Sequence, residues 1–492
     1  MPADPLLFVA GPFVVHGLWA VYAFFRIPSR FSSILAPVFL QLASVFFLGK
    51  YVYDKGVYTL ELDVIGLPAG TVLAVDGLGV LLSGITAVVM SACAIYALDY
   101  FRIHRIRQTK TLVRERFFWP LLALLWSGLL IVWISADLLT TYVAMEAIGL
   151  SAAAMMVLPD KARAVQAGLR YLFLMLTGSL CYLLGAGIVY GMYGSIDFAG
   201  IADAARPGGD FYVAMALASA GLMLKAAVFP LHAWLPIAHS HAWSPVSAIH
   251  AALVVKASFF VFVKLWIAIL PEAEAASQLI GLAGGAAVVW GSLMALSRQE
   301  IKHIVAYSTM AQLGYLLLVF PLIASAADSS AARLAWQGTW LLFISHAFAK
   351  AAMFLAVGNL VLAMGRADLN GFAGVDCYLP VSLLVFGLAS LNIIGLPICG
   401  GFTAKWLLLN SAMASGQWHW VALLSAGTLL GAAYVFRIFK YALVSGAQTD
   451  CYMHLPTGKE TVAFVLAFAA VLLGLFAKWP LALIDIGGGP LP

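Results

Sequence analysis

Apolar runs of roughly twenty residues, separated by short polar segments, recur along the whole chain. A run of about that length, wound as an α-helix, crosses a hydrocarbon layer of about 30 Å. The runs place helices at 5–25, 33–53, 71–99, 117–136, 138–158, 168–193, 211–231, 244–270, 276–297, 301–323, 335–363, 380–397 with a continuation to 414, 419–441 and 460–485. The pattern predicts an all-α polytopic membrane protein with roughly fourteen transmembrane helices. The first run lacks a basic leading segment and is expected to remain as helix one.

Two runs are interrupted. In the seventh, Pro230 can neither donate to the Ala226 carbonyl nor fit against that turn; in the twelfth, GLPICGGF sets Pro397 between Gly395 and the Gly400–Gly401 pair. Broken helices at membrane depth need neighbours or a hydrated cavity to satisfy the freed backbone. The two interruptions lie five helices apart, so they run in opposite directions. That spacing predicts two inverted five-helix repeats, helices 4–8 and 9–13, as in many secondary transporters. The expected organisation is 1–116 for helices 1–3 and a basic loop, 117–270 and 271–441 for the two repeats, and 442–492 for helix 14 and the tail.

Five ionisable residues interrupt the apolar runs: Glu146, Lys225, Lys256, Lys350 and Lys405. A charge at mid-bilayer costs roughly 2.5–3.5 kcal/mol on insertion scales, so such residues face a bundle interior and mark ion paths or proton relays. A buried lysine loses its proton readily, and a nearby carboxylate restores its hold. Glu146 and Lys225 could therefore switch between holding and releasing a proton, against the alternative of a static ion pair. His346 and Lys350, four apart, share one helix face and could pass a proton through water. Ser308, Gln312 and Tyr315 form another stripe, equally readable as helix–helix hydrogen bonding. His250 precedes Lys256 by six residues, about 120° round an α-helix, and is a possible relay without direct contact. His232, His239 and His241 fall in a connection between helices, where proton gathering or loop packing is favoured over metal. Ser244 and Pro245 read as a helix cap and first-turn proline, and Lys264 as a chain that snorkels to the interface.

Charge sets the orientation. Arg102, Arg105, Arg107, Lys110, Arg114 and Arg116 cluster after the third run; with that loop inside, alternation puts Arg26, Lys161, Arg298, Lys302, Arg366 and Arg437 inside as well. Asp54, Glu61, Asp63, Asp197, Asp203, Asp210, Glu272 and Glu274 fall outside, as the positive-inside rule requires. Both termini then lie on the non-cytoplasmic side of a bacterial-type inner membrane. With 63% hydrophobic and 10% charged residues, the composition excludes a soluble globular protein. The scattered Cys93, Cys181, Cys377, Cys399 and Cys451 have no metal spacing and read as buried apolar thiols. No cofactor site, metal site or nucleic-acid site is expected.

Several segments resemble one known family. They are TYVAMEAIGL, LKAAVFPLHAWLPIAHSHAWSPVSAIHAALVVK, IKHIVAYSTMAQLGY, SHAFAKAAMF and GLPICGGFTAKW, in that order, within a likeness running from Val75-Asp76-Gly77 to helix thirteen. The family is that of the antiporter-like subunits shared by respiratory complex I, Mrp-type cation/proton antiporters and membrane-bound hydrogenases; the AHSHAWSPVSAI stretch looks closest to the last two. The resemblance implies that Glu146 is the helix-five glutamate paired with the helix-seven lysine, Lys225. It implies that Lys256 connects two half-channels, that His346 and Lys350 are the helix-eleven pair, and that Lys405 serves the outlet. Met145 stands where many relatives have tryptophan, and the sequence ends soon after helix fourteen, so one branch's lateral helix is not expected. The expected function is a proton-translocating subunit coupled to other membrane subunits, with no redox site of its own. The alternative is a self-sufficient sodium or potassium/proton antiporter; a scaffold with relic charges is a third reading. One mid-membrane carboxylate is few oxygens for a hard cation.

Overall fold

The computed structural model describes residues 5–62, 71–107, 111–204, 208–267, 273–444 and 457–487. Asp63, Lys110, Glu272, Cys451, the chain ends and the expected 270/271 boundary lie outside the described residues. Among those described, 12 helices are long and apolar enough to cross a membrane: Pro5–Phe25, Phe31–Lys55, Gly77–Arg105, Val113–Ile134, Leu138–Val157, Ala162–Tyr193, Ser244–Trp266, Glu274–Ser297, Ile301–Ala324, Ser329–Met364, Trp418–Ala442 and Gly458–Leu475. The chain is a multi-pass membrane protein. Ser244–Trp266, Ile301–Ala324 and Ser329–Met364 form the bundle centre, buried over most or all of their length, whereas the first two helices and the last keep mostly exposed apolar faces. Such faces suit lipid, which offers hydrocarbon in place of protein neighbours.

Local chemistry fixes the ends of these helices. Asp137 accepts from the Thr140 N–H at 2.6 Å and caps Leu138–Val157; Asp328 does the same for Ser329–Met364 through the Ala331 N–H at 2.7 Å. Close approach relies on small residues: a Cβ on Gly221 would stand 2.3 Å from the Gly178 carbonyl oxygen, and one on Gly314 2.4 Å from that of Gly284.

The two interrupted runs are indeed in pieces. The seventh gives only Gly209–Lys225, and the turn that follows puts Ala227 at φ 54°. The helix thus stops at Lys225 itself, short of the expected end at 231, and Pro230 lies beyond the break. The twelfth gives Pro380–Ile394 and Gly400–Ala414, with Gly395 at φ 84° ending the first piece.

Four local expectations are corrected. The eighth run is not α-helical throughout: His250–Val254 form a π-helical turn. Ser244 is not the cap: Trp243 takes that position with no side-chain cap bond, and Ser244 joins Pro245, a first-turn proline as expected, inside the first turn. A short hairpin pairs Tyr58–Leu62, in a segment expected to be loop, with Thr71–Val75, expected to be the start of helix three, which begins instead at Gly77. Its alternating apolar residues explain it: Leu73 and Val75 pack with Val9, Val52, Val80 and Ile134 into a small second core. Cys377 is exposed and Cys181 half-buried, so the thiols are not uniformly buried.

Candidate functional site

The ionisable residues of the apolar runs lie inside the bundle, and three of them, Lys225, Lys256 and Lys405, stand at a defect in a helix. Lys225 is the last residue of its helix. The Gly178–Gly221 contact presses Gly209–Lys225 onto Ala162–Tyr193, and a Cβ on Gly178 would meet the Lys225 side chain at 3.1 Å. The lysine Nζ consequently donates to Glu146 Oε1 at 2.9 Å, and the Ser179 hydroxyl donates to the same oxygen. The lysine side chain is 3% exposed and the glutamate 19%, so the carboxylate keeps an edge open.

Lys256 follows the π turn. A π turn shifts the backbone bonds to i→i+5 and leaves carbonyls over where the α-pattern resumes. The Lys256 ammonium donates to a carbonyl within the turn, Ala252 O, at 2.8 Å and lies 5.5 Å from the centre of the Phe343 ring. Lys350 donates to Val305 O at 3.0 Å and to the Ser308 hydroxyl. Lys405 donates to Ile393 O at 3.0 Å and Ile394 O at 3.1 Å, the carbonyls orphaned at the C-terminus of the first broken piece. A cation there also answers the negative end of the helix dipole. Asn392 pins the break: its Oδ1 accepts from the Gly401 N–H at 2.8 Å, and its Nδ2 donates to Ser345 O at 3.1 Å and Ser345 Oγ at 2.9 Å.

His346 is fully enclosed, within electrostatic reach of Lys256, Lys350 and Lys405, and neither ring nitrogen has a protein partner. Ser308, Gln312 and Tyr315 all face the same line of groups. Ser308 meets Lys350, Gln312 donates to Ile393 O at 3.2 Å, and the Tyr315 ring lies 4.6 Å from the Lys405 ammonium.

His250 makes no contact with Lys256 that its ring nitrogens could use; both are without hydrogen-bond partners. Its ring lies 5.3 Å from Tyr171 and 6.0 Å from His239. Tyr171, within electrostatic reach of Glu146, links the switch pair to this histidine. His239 is buried and stacked on Phe354 at 4.8 Å, also without a ring hydrogen bond. The three connection histidines are therefore not one cluster. His232 stacks on Phe229, His239 reaches the interior, and His241 lines a chamber. Among the described residues no group of three or more His, Cys, Asp or Glu is arranged to hold a metal ion.

That chamber, about 300 Å³, opens between Arg114, Lys161, His241, Glu300 and Lys302. Lys302 donates to Ala242 O at 2.9 Å. Glu300 sits just ahead of its helix. Burial pushes its carboxyl up, but the His303 imidazole 2.9 Å away, with His241 and Lys302, outweighs burial and holds it below the ordinary range.

Sequence reasoning missed Tyr171, Ser179, Asn392 and the carbonyl shells. Tyr171 had a signal, since it lies on the face of Ala162–Tyr193 that carries Gly178 and Ser179. The carbonyl shells had none, because they are set by a helix end at Ile394, a π turn at Ala252 and the packing of Lys350 against Val305.

Residues 135–431 match a family described as "NADH:quinone oxidoreductase/Mrp antiporter, TM". Over 429 residues the chain is 32% identical to NADH-quinone oxidoreductase subunit N of Desulforudis audaxviator, covering 83% of each. It is 24% identical over 476 residues to a subunit of the Na(+)/H(+) antiporter of Alkalihalophilus pseudofirmus, covering 96% of this chain and 93% of the relative. A chain in the Mrp complex from Dietzia sp. DQ12-45-1b shares the fold, with TM-score 0.83 at 21% identity over 98% of this chain and 96% of that one.

Proposed function

We propose that this chain, which belongs to the NADH:quinone oxidoreductase/Mrp antiporter family, is a proton-translocating subunit of a larger membrane complex. One observation carries the reading: a row of buried ionisable groups, Glu146–Lys225, Lys256, His346–Lys350 and Lys405, strung between two helix breaks. Protons collect in the Arg114–Glu300–Lys302 chamber and pass inward by way of His239 and His250. Glu146 holds Lys225 charged; withdrawing the carboxylate frees that proton. Lys256 and His346–Lys350 relay it, and Lys405 releases it on the other side. The relatives named as subunits of an oxidoreductase and of an antiporter support a role beside partner subunits, which would supply the driving reaction.

The chamber's cations support an orientation with that face in the cytoplasm of a cell whose inner membrane the chain spans, and with both termini outside. We also read the bundle as about fourteen crossings in two inverted repeats. A single sequence interval separates Gly128 from Gly291, Ala144 from Tyr307, Ile148 from Ala311 and Asp137 from Glu300. Gly128 packs on Ala144 and Ile148, as Gly291 packs on Tyr307 and Ala311. Asp137 bridges Asp197, as Glu300 bridges Asp368. These paired contacts support unit boundaries close to 117–270 and 271–441.

The test is proton uptake by membrane vesicles that carry the whole complex. With assembly intact, Lys225→Met should abolish it and Lys405→Met should cut it severely. Normal uptake in both would reject the reading. The rival, a lone sodium/proton antiporter, predicts saturable exchange by the purified chain in liposomes that Lys405→Ala removes; the subunit reading predicts little.

A further inference from the structure

A second cavity, about 320 Å³, lies on the face opposite the cytoplasmic chamber and has no part in the path above. Asp76, Asp197 and Lys264 supply its charges, and Trp336 and Trp340 part of its wall. Lys264 does not simply snorkel. Its ammonium lies 3.9 Å from Asp76 Oδ2, 3.4 Å from Ser135 O and 4.8 Å from the centre of the Phe260 ring. Asp76 also accepts the Gly79 N–H at 2.6 Å, and burial pushes its carboxyl above the ordinary range, against the pull of Lys264.

Lys256 and Lys264 stand on one helix, eight residues or about 12 Å apart along its axis. Between them lies a plug of aromatic rings. Phe343, against Lys256, packs on Trp340 at 5.4 Å and Trp133 at 6.1 Å; Phe260, against Lys264, packs on Trp133 at 5.2 Å and Trp340 at 5.9 Å. Each side of the plug thus offers a π-face to a cation. The plug also contains unpaired polar atoms. Trp340 Nε1 and Thr339 Oγ1 are buried without partners, and such groups in a native interior normally meet water.

The geometry points to a gated proton-release site: the Asp76–Lys264 pair takes protons from Lys256 when the Phe343–Trp340 plug opens and delivers them to the outer cavity. It is a second outlet, for the first repeat, separate from Lys405. It rests on the proton-translocation reading. Loss of the mid-bundle charge moves the proton to Asp76 or Lys264 and then to water, with no other group consumed.

The test uses vesicles containing the complete complex. With the driving reaction absent, an imposed pH step reads passive proton leak. Phe343→Leu should raise that leak several-fold, and Lys264→Met in the same chain should return it to the wild-type level. A leak unchanged by Phe343→Leu, or raised but indifferent to Lys264, overturns the proposal. Should Phe343→Leu fail to assemble, Phe260→Leu opens the other side of the plug. It should raise the leak in the same way, with Lys264→Met in the same chain returning it to the wild-type level; an unchanged leak, or one indifferent to Lys264, overturns the proposal. Lys225→Met keeps the two readings apart, because its normal pumping would sink the relay while the passive-leak result stands by itself.

Discussion

The Glu146–Lys225 pair can be weighed by a double-mutant cycle. Among the described residues the almost wholly enclosed ammonium has this carboxylate as its one hydrogen-bond partner, and the carboxylate otherwise receives the Ser179 hydroxyl. Removing one member of a buried pair costs about 3–5 kcal/mol, because the other charge stays buried without compensation. Lys225→Met should cost this much, reduced somewhat because Glu146 keeps an open edge. Glu146→Gln should cost less, since an amide oxygen still accepts from Lys225 and Ser179. The double variant buries no charge and should lie within about 1 kcal/mol of wild type. The coupling energy is then roughly 3 kcal/mol, or about a hundredfold in the folding equilibrium. Detergent titration of the chain in mixed micelles, followed by tryptophan fluorescence, measures all four corners. Transport should behave differently: neither single nor double variant should pump, because the protonatable lysine is lost or locked. Strictly additive losses would remove the energetic basis of the pair. A double variant that pumps normally would show that the pair is only a brace.

Asn392→Ala removes one hydrogen bond across the break, from Gly401, and two to Ser345 on a neighbouring helix, at about 1 kcal/mol each, and should lower thermal stability by roughly 3 kcal/mol while loosening the Lys405 site; an unchanged melting point would refute the pinning role. Asp160→Cys, on the Arg114 face, should react with an impermeant thiol reagent only after the membrane is opened, and labelling of intact cells would reverse the orientation. Glu300, whose carboxyl lies below the ordinary range when folded, stabilises the fold above its unfolded value and loses that contribution as pH falls through the folded one. Glu300→Gln should therefore flatten the acid side of the stability curve, below about pH 4.5, and leave the neutral range little changed; an identical acid limb would count against it.

Much of this bundle was legible because membrane burial forces a simple code. Runs of twenty apolar residues can only be helices, and a lysine such as Lys225 or Lys256 inside one has to point inward. The Gly395–Pro397–Gly400 break was legible because its residues cannot continue a helix. What escaped depends on neighbours far away in sequence. The helix before Pro230 ends at Lys225, where Trp234 Nε1 donates back to Leu224 O at 3.0 Å. The π turn at His250 carries no residue signature, so the angle expected between His250 and Lys256 belongs to a helix the chain does not form. The hairpin escaped because Thr71–Val75 continues into the apolar run of helix three and so read as membrane, leaving Tyr58–Leu62 without a visible partner.

The carbonyl shells around Lys256, Lys350 and Lys405 bear on how much charge the interior can hold. An ammonium brings three N–H groups, a neutral amine two, and two are enough for the pair of acceptors that Lys405 or Lys350 faces. Among the described residues no carboxylate faces these lysines as Glu146 faces Lys225. On the proposed proton path the interior would therefore act as a capacitor. Its plates are dipoles built into the backbone, and the number of protons stored would change without a counter-ion having to enter or leave.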